Sequence, residues 1–85
     1  MDRIALFEAA QAKAETLHVK YPDVKTIESI IRQIDYLMAL EKGISSDRSR
    51  LKEIVLGVQA AREIEPLDSD LAEMLYAVNE QVKQM

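Results

Sequence analysis

The sequence predicts an all-α fold, an antiparallel up-down bundle of three to four helices that forms a single helical domain over residues 1–85. Apolar residues recur every three or four positions along four segments, which is the period of a helix with one buried face. The chain has only two glycines and two prolines, too few for the many turns of a β-sheet protein. The connections between the four segments are short, so consecutive helices should run antiparallel.

The first predicted helix runs from about Asp2 to Lys20. Its apolar stripe consists of Ile4, Phe7, Ala10, Ala14, Leu17 and Tyr21. Asp2 suits the N-terminal end, where a carboxylate caps a helix or interacts favourably with its dipole. Pro22 should end the helix, because a proline disfavours helical geometry in the residue before it.

The second predicted helix runs from about Val24 to Lys42, with Asp23 as its N-cap and Gly43 as a left-handed stop. Its predicted core stripe consists of Ile27, Ile30, Ile31, Ile34, Leu37 and Met38. Tyr36 and Leu40 fall off this stripe. We expect Tyr36 either to be exposed as part of a protein interface or to pack into the core of a two-sided helix.

The third predicted helix runs from about Asp47 to Ile64, capped by Ser46 or Asp47 and ended by Pro66. Its apolar set is broad, which predicts a central helix with neighbours on two sides. The set consists of Leu51, Ile54, Val55, Leu56, Val58, Ala60 and Ala61. Gly57 costs about 1 kcal/mol relative to alanine inside a helix, and we interpret it as a point where another helix approaches closely.

The fourth predicted helix begins at Asp68, which is a good N-cap residue, and continues to the end of the chain. Asp70 lies in its first turn, where an acidic side chain favours the helix dipole. Its apolar stripe consists of Leu71, Met74, Leu75, Val78 and Val82.

Composition argues against several classes of function. The net charge is −4, and an acidic surface repels nucleic acid. No apolar run is long enough to span a membrane, and the N-terminal residues lack the pattern of a signal peptide. The absence of cysteine argues against a disulfide scaffold, a thiolate metal site and a cysteine nucleophile. We therefore expect a cytoplasmic protein that binds neither membranes nor nucleic acid.

Catalytic and metal-binding arrangements are also poorly supported. Glu15-x-x-His18 resembles half of a di-iron ligand set, but the chain has one histidine and cannot complete such a site alone. The other carboxylates fall mostly on polar helix faces, without a predicted cleft that would perturb them. We expect no cofactor and no enzymatic activity. The one basic cluster, Arg48-Ser49-Arg50-Leu51-Lys52, suggests helix-start electrostatics or a protein–protein salt-bridge site.

Several residues in order carry a resemblance to a known family. They are Tyr21-Pro22, Gln33-x-x-Tyr36, Asp47-Arg48-Ser49, Leu51, Leu56-Gly57, Ala60, Glu63, Asp68, Leu71 and Leu75. Their order and spacing resemble the small helical immunity proteins of bacterial type VI secretion that neutralise NAD(P)-glycohydrolase toxins and their relatives. The resemblance covers roughly Tyr21 to Leu75, and Ser69 stands where the family pattern leads us to expect a proline.

The resemblance implies a cytoplasmic antitoxin that binds the toxin domain of a cognate secreted effector and blocks its active site. The toxin would hydrolyse NAD(P) or use another nucleotide. The residues that we expect to contact it are Arg32, Gln33, Asp35, Tyr36, Leu40, Asp47, Arg48, Arg50, Glu63 and Asp68. The alternative is a structural or adaptor bundle, such as a homodimeric scaffold or a secretion chaperone, and a homodimer of the isolated chain is compatible with either function.

Overall fold

The computed structural model describes residues 2–85 and confirms the predicted all-α fold, with no strand in that range. Four α-helices follow one another along the chain, with one 3-10 turn before the third and a π-helical continuation after it. Their bounds are α1 Arg3–Lys20, α2 Lys25–Glu41, the 3-10 turn Leu51–Glu53, α3 Leu56–Gln59, the π segment Ala60–Ile64 and α4 Ser69–Val82. The most extensive packing is between α1 and α2, and α4 packs on α1 and on the α3 region.

The ends of α1 and α2 agree closely with the predicted ones, but one predicted cap is wrong. Val24, not Asp23, is the N-cap residue of α2, and no side chain caps that end. Gly43 follows the C-cap residue Lys42 with φ +77°, a left-handed conformation that glycine adopts without steric cost. The predicted glycine stop is therefore confirmed.

The core is a single apolar cluster contributed by all four helices. Its fully or nearly fully buried members are Phe7, Ala10, Ala14 and Leu17 of α1, Ile27, Ile30, Ile34 and Leu37 of α2, Leu56, Ala60 and Ile64 of the α3 region, and Leu71, Ala72, Leu75 and Val78 of α4. Within residues 2–85 no polar or charged residue is buried. The fold is therefore held mainly by apolar burial, at about 25 cal/mol for each Å² removed from water.

Leu40 corrects the predicted stripe of α2. It is only 6% exposed, so its assignment to a partner-binding surface is wrong. The reason lies in the spacing: Ile30, Ile34, Leu37 and Leu40 follow one another by steps of four and three, which keeps all four on one helix face.

The predicted third helix is wrong in its first half. Residues 44–55 form an irregular segment with one 3-10 turn, and α3 begins only at Leu56. Asp47 does not cap a helix. Its Oδ1 atom accepts hydrogen bonds from the Ser49 main-chain N–H (3.0 Å) and hydroxyl (2.6 Å), a local turn that competes with helix formation. The Ser46 alternative fails too, since no helix starts there.

As predicted, α3 has neighbours on two sides, since it packs on α4 and on α2. The breadth of the apolar set does not reflect burial, however, because Val55 and Val58 are 45% and 53% exposed. The chain leaves the helical region at Ile64, close to the stop that Pro66 predicts.

The α3 region places one row of side chains in the core. Leu56, Ala60 and Ile64 are spaced by four residues, which keeps them within one apolar stripe, and all three are buried. Asp68 then caps α4 as predicted, its Oδ1 accepting from the Leu71 N–H at 3.0 Å.

Candidate functional site

A groove of about 280 Å³ lies between α2 and the second half of segment 44–55. Its walls are formed by Ser29, Arg32, Gln33, Tyr36, Arg50, Glu53, Ile54 and Val55. One wall comes from a single face of α2, because Ser29, Arg32, Gln33 and Tyr36 are spaced by three and four residues. The other wall comes from the 3-10 turn and the residues on either side of it.

Tyr36 attaches segment 44–55 to α2. Its hydroxyl donates a hydrogen bond to the main-chain carbonyl of Asp47 at 2.7 Å and accepts one from the Arg50 main-chain N–H at 3.3 Å. The ring is partly buried against the core, and the Arg50 guanidinium lies 5.8 Å from its centroid, within cation–π range. Tyr36 therefore supports one groove wall, and its partly buried ring also lines the groove.

Gln33 fixes the other end of the same segment. Its Oε1 accepts a hydrogen bond from the Val55 N–H at 2.9 Å, and its Nε2 donates to Gln59 Oε1 at 2.7 Å. Gln59 in turn donates to the Ser29 hydroxyl at 3.2 Å. This polar network joins α2 to the start of α3. The groove wall formed by segment 44–55 is therefore held to α2 by hydrogen bonds from Tyr36 at one end and from Gln33 at the other.

The charged residues on the groove walls are two arginines, Arg32 and Arg50, and one glutamate, Glu53. Arg32, on α2, has no carboxylate oxygen within 4.0 Å among the residues that the structure describes, and Arg50 reaches only Glu53, at 4.0 Å. The Arg50 and Glu53 side chains are 67% and 62% exposed, a geometry in which an ion pair contributes little. Both guanidiniums are therefore available to an outside acceptor.

Asp47 and Arg48 lie beside the groove and shape the loop. Hydrogen bonds from the Ser49 hydroxyl and main-chain N–H, with a smaller effect of Arg50, lower the pKa of Asp47 below its ordinary value. Arg48 Nη1 donates to the main-chain oxygen of Met85 at 3.0 Å, which joins the loop to the C-terminal residues. Of the ten residues predicted from the sequence, Arg32, Gln33, Tyr36 and Arg50 line the groove, and Asp47 and Arg48 border it.

The remaining predicted residues lie elsewhere. Asp35 accepts a hydrogen bond from Gln11 of α1, on the side of α2 that faces α1. Glu63 accepts one from Thr26, about one helical turn before Ser29, and does not itself line the groove. Asp68 caps α4 and lies 3.7 Å from the Lys13 ammonium. Asp35, Glu63 and Asp68 therefore do not line the groove, and neither does the buried Leu40.

Sequence reasoning missed four lining residues, namely Ser29, Glu53, Ile54 and Val55. Ser29 could have been found, because it lies one turn before Gln33 on the same face of α2. Ile54 and Val55 were assigned to a helix interior. They line the groove only because the helix is interrupted before α3. The sequence between Leu51 and Leu56 contains no glycine, proline, asparagine or aspartate that would predict this interruption.

The described residues offer little for other kinds of chemistry. Nowhere in residues 2–85 do three or more His, Asp or Glu side chains cluster as a metal site would require. None of the helices in the same range is long and apolar enough to cross a membrane. The groove presents two arginines, one glutamate, a phenol ring, two neutral polar side chains and two apolar ones, a mixture found at recognition surfaces.

Comparison with known proteins identifies a family and a similar solved structure. The model of the Tsi6 family matches residues 2–84. The structure of Tsi6 from Pseudomonas aeruginosa superposes with a TM-score of 0.88 at 26% sequence identity, over 96% of this chain and 95% of that one. No curated protein matches the chain.

Proposed function

Because the chain belongs to the Tsi6 family, we propose that it is an immunity protein of a type VI secretion system, which binds the toxin domain of a cognate effector. The family match over nearly the whole chain is the observation that carries this proposal, and the similarity in fold to Tsi6 supports it. Such a protein protects the cell that makes the toxin, and its siblings, by binding and not by catalysis.

The groove between α2 and segment 44–55 is the surface proposed to contact the toxin. Arginine and tyrosine are enriched among the residues that dominate protein interfaces, and Arg32, Tyr36 and Arg50 lie together here. Exposed apolar side chains of Val55 and Val58 adjoin it. Since Tyr36 and Gln33 hold the loop in place before binding, little conformational entropy would be lost on association.

The proposed mode of inhibition is occlusion of the toxin's active site, and the proposed chemistry of the toxin is consumption of NAD(P) or of another nucleotide. Both follow from the resemblance of the sequence to immunity proteins against NAD(P)-glycohydrolase toxins. A toxin of that kind acts where nucleotides are abundant, so the cytoplasm is the proposed site of protection.

Coexpression tests the proposal. The toxin domain encoded beside this chain should stop growth when expressed alone in the cytoplasm, and coexpression of the chain should restore growth. The purified pair should elute as a one-to-one complex, and cellular NAD(P) should fall only without the chain. If coexpression gave no rescue and the purified proteins formed no complex, the immunity function would be excluded. Rescue without any change in NAD(P) would keep that function and exclude NAD(P) as the target.

Light scattering on the isolated chain tests the adaptor alternative. A homodimeric scaffold would be a stable dimer that persists when the toxin domain is added. An immunity protein should instead form a mixed complex, whatever its state alone.

A further inference from the structure

We infer that the groove receives an acidic side chain of the partner protein, held between the guanidiniums of Arg32 and Arg50. This inference rests on the proposed function, since the partner is the toxin domain. The observation behind it is that two cations stand on opposite walls of one concave surface without an adequate counterion from the chain itself.

The nearby carboxylates of the chain do not neutralise these arginines. Glu28 lies four residues before Arg32 and Asp35 three residues after it, positions where ion pairs normally form on a helix. Neither carboxylate comes within 4.0 Å of the Arg32 guanidinium. Asp35 accepts a hydrogen bond from Gln11 instead. Glu53 reaches Arg50 only at 4.0 Å. Asp47, whose pKa Arg50 helps to lower, has its Oδ1 engaged by Ser49. Arg32 is therefore without an ion pair among the described residues, and Arg50 has only a weak, exposed one.

Arg50 is positioned before any partner arrives. The Tyr36 hydroxyl accepts the Arg50 main-chain N–H, and the guanidinium lies over the Tyr36 ring. A planar guanidinium held in this way can present two parallel N–H groups to a carboxylate. Ordering the side chain in advance reduces the entropy lost on binding.

The apolar border favours a side chain carried by a protein over a free anion. Ile54 and Val55 line the groove, and the exposed Val58 follows Val55 by about one helical turn. Apolar surface around a polar contact excludes water and strengthens it when a protein surface covers the border. A small hydrated anion would leave these side chains exposed and gain nothing from them.

Charge reversal tests the inference. Affinity for the toxin domain should be measured by calorimetry for the wild type, Arg32→Glu, Arg50→Glu and, as the matched control, Lys20→Glu, which changes the net charge equally on exposed α1 surface outside the groove. We expect each groove variant to bind about 30-fold more weakly or worse. The control should change affinity less than about threefold. The two arginine variants should melt close to the wild type because both arginines are exposed, whereas Lys20→Glu should melt slightly lower, since it loses the contact with the Tyr21 ring and places an acid in the last turn of α1.

A charge swap then identifies the acidic side chain. Single Asp→Lys and Glu→Lys variants of the toxin domain should be tested against Arg50→Glu, and one of them should recover at least about tenfold in affinity. Failure of every swap, or groove variants that bind like Lys20→Glu, would overturn the inference while leaving the immunity function intact. No binding by the wild-type chain would instead refute the proposed function.

A last arm separates a partner carboxylate from a small anion. Inorganic phosphate and ADP at millimolar concentration should neither raise the melting temperature of the wild-type chain nor compete with the toxin domain beyond the effect of ionic strength. Stabilisation by either ligand that disappears in Arg32→Glu would overturn the inference and make the groove a small-molecule site.

Discussion

The Tyr36 hydroxyl lies between two main-chain groups of segment 44–55, the carbonyl of Asp47 and the N–H of Arg50. A phenol that donates to one and accepts from the other satisfies two groups of a segment that has little regular hydrogen bonding of its own. At the scale of single residues, the groove therefore depends on side chains of α2 that contact the backbone, and not only on side chains that face the partner.

Tyr36→Phe isolates the contribution of that hydroxyl. We expect a loss of about 1 kcal/mol in the free energy of unfolding, since two hydrogen bonds are removed and the ring stays. The Arg50 amide should exchange with deuterium faster, and the toxin domain should bind several-fold more weakly because the loop is less ordered. Urea denaturation and hydrogen exchange measure both effects, with Tyr21→Phe as a control outside the segment. An unchanged Arg50 amide would contradict this role.

Ser49→Ala tests the turn at Asp47. The Ser49 hydroxyl is the largest cause of the lowered pKa of Asp47, so the variant should raise that pKa toward its ordinary value. A carboxylate whose folded pKa is depressed stabilises the turn above its unfolded pKa and loses this contribution as the pH falls through the folded pKa. An NMR titration of the Asp47 carboxyl carbon measures the shift, and Ser46→Ala should leave it unchanged. An identical titration curve in Ser49→Ala would refute the assignment.

At the scale of elements, α1, α2 and α4 could be predicted because each has an apolar stripe with helical spacing and at least one terminal signal. Segment 44–55 could not, because Leu51, Ile54, Val55 and Val58 have the same spacing as a buried helix. The break has a local cause, the turn at Asp47 and Ser49, and a tertiary one, because Tyr36 and Gln33 bind the backbone from α2. No local propensity reports a hydrogen bond formed across more than ten residues of sequence.

Gly57 is the second residue of α3, not the middle of a long helix, and α4 does approach it closely. A Cβ atom there would lie 3.3 Å from Cγ and Nδ2 of Asn79, whose side chain is partly exposed and able to shift. We expect Gly57→Ala to change the free energy of unfolding by less than about 1 kcal/mol, as the gain in helix propensity offsets the crowding.

A larger residue at position 57 should reverse this balance. Gly57→Leu adds atoms that a small shift of Asn79 cannot accommodate, and we expect a loss of about 1–3 kcal/mol. Thermal and urea denaturation of the two variants compare the effects. Equal stability of the leucine variant and the wild type would mean that α4 does not constrain this position.

At the scale of the whole molecule, the core and the groove are formed by different residues. The apolar cluster is formed by side chains such as Phe7, Ile34 and Leu75, whereas the groove arginines are exposed and contribute little to folding. Most of the core could be predicted from periodicity, but Leu40, Ile64 and Ala72 are buried outside the predicted stripes. The groove could be predicted only in part, because Arg32, Gln33 and Tyr36 share a helix face while its other wall depends on how segment 44–55 folds back.

This separation leads to a prediction about α1, which contributes no residue to the groove. Phe7 is fully buried, and Phe7→Ala should cost about 3–5 kcal/mol through lost burial and the cavity left behind. A protein of this size has a free energy of unfolding of about 4–13 kcal/mol, so the variant should melt at a much lower temperature and should lose toxin binding only to the extent that it is unfolded. Val19→Ala, at an 82% exposed position of the same helix, should change stability by less than about 0.5 kcal/mol.

Circular dichroism during heating and calorimetry with the toxin domain distinguish the cases. Phe7→Ala should lose affinity only in proportion to the unfolded fraction, whereas Arg50→Glu should lose affinity while its melting curve stays unchanged. If a fully folded Phe7→Ala protein bound poorly, α1 would belong to the binding surface and the division between core and groove would be wrong.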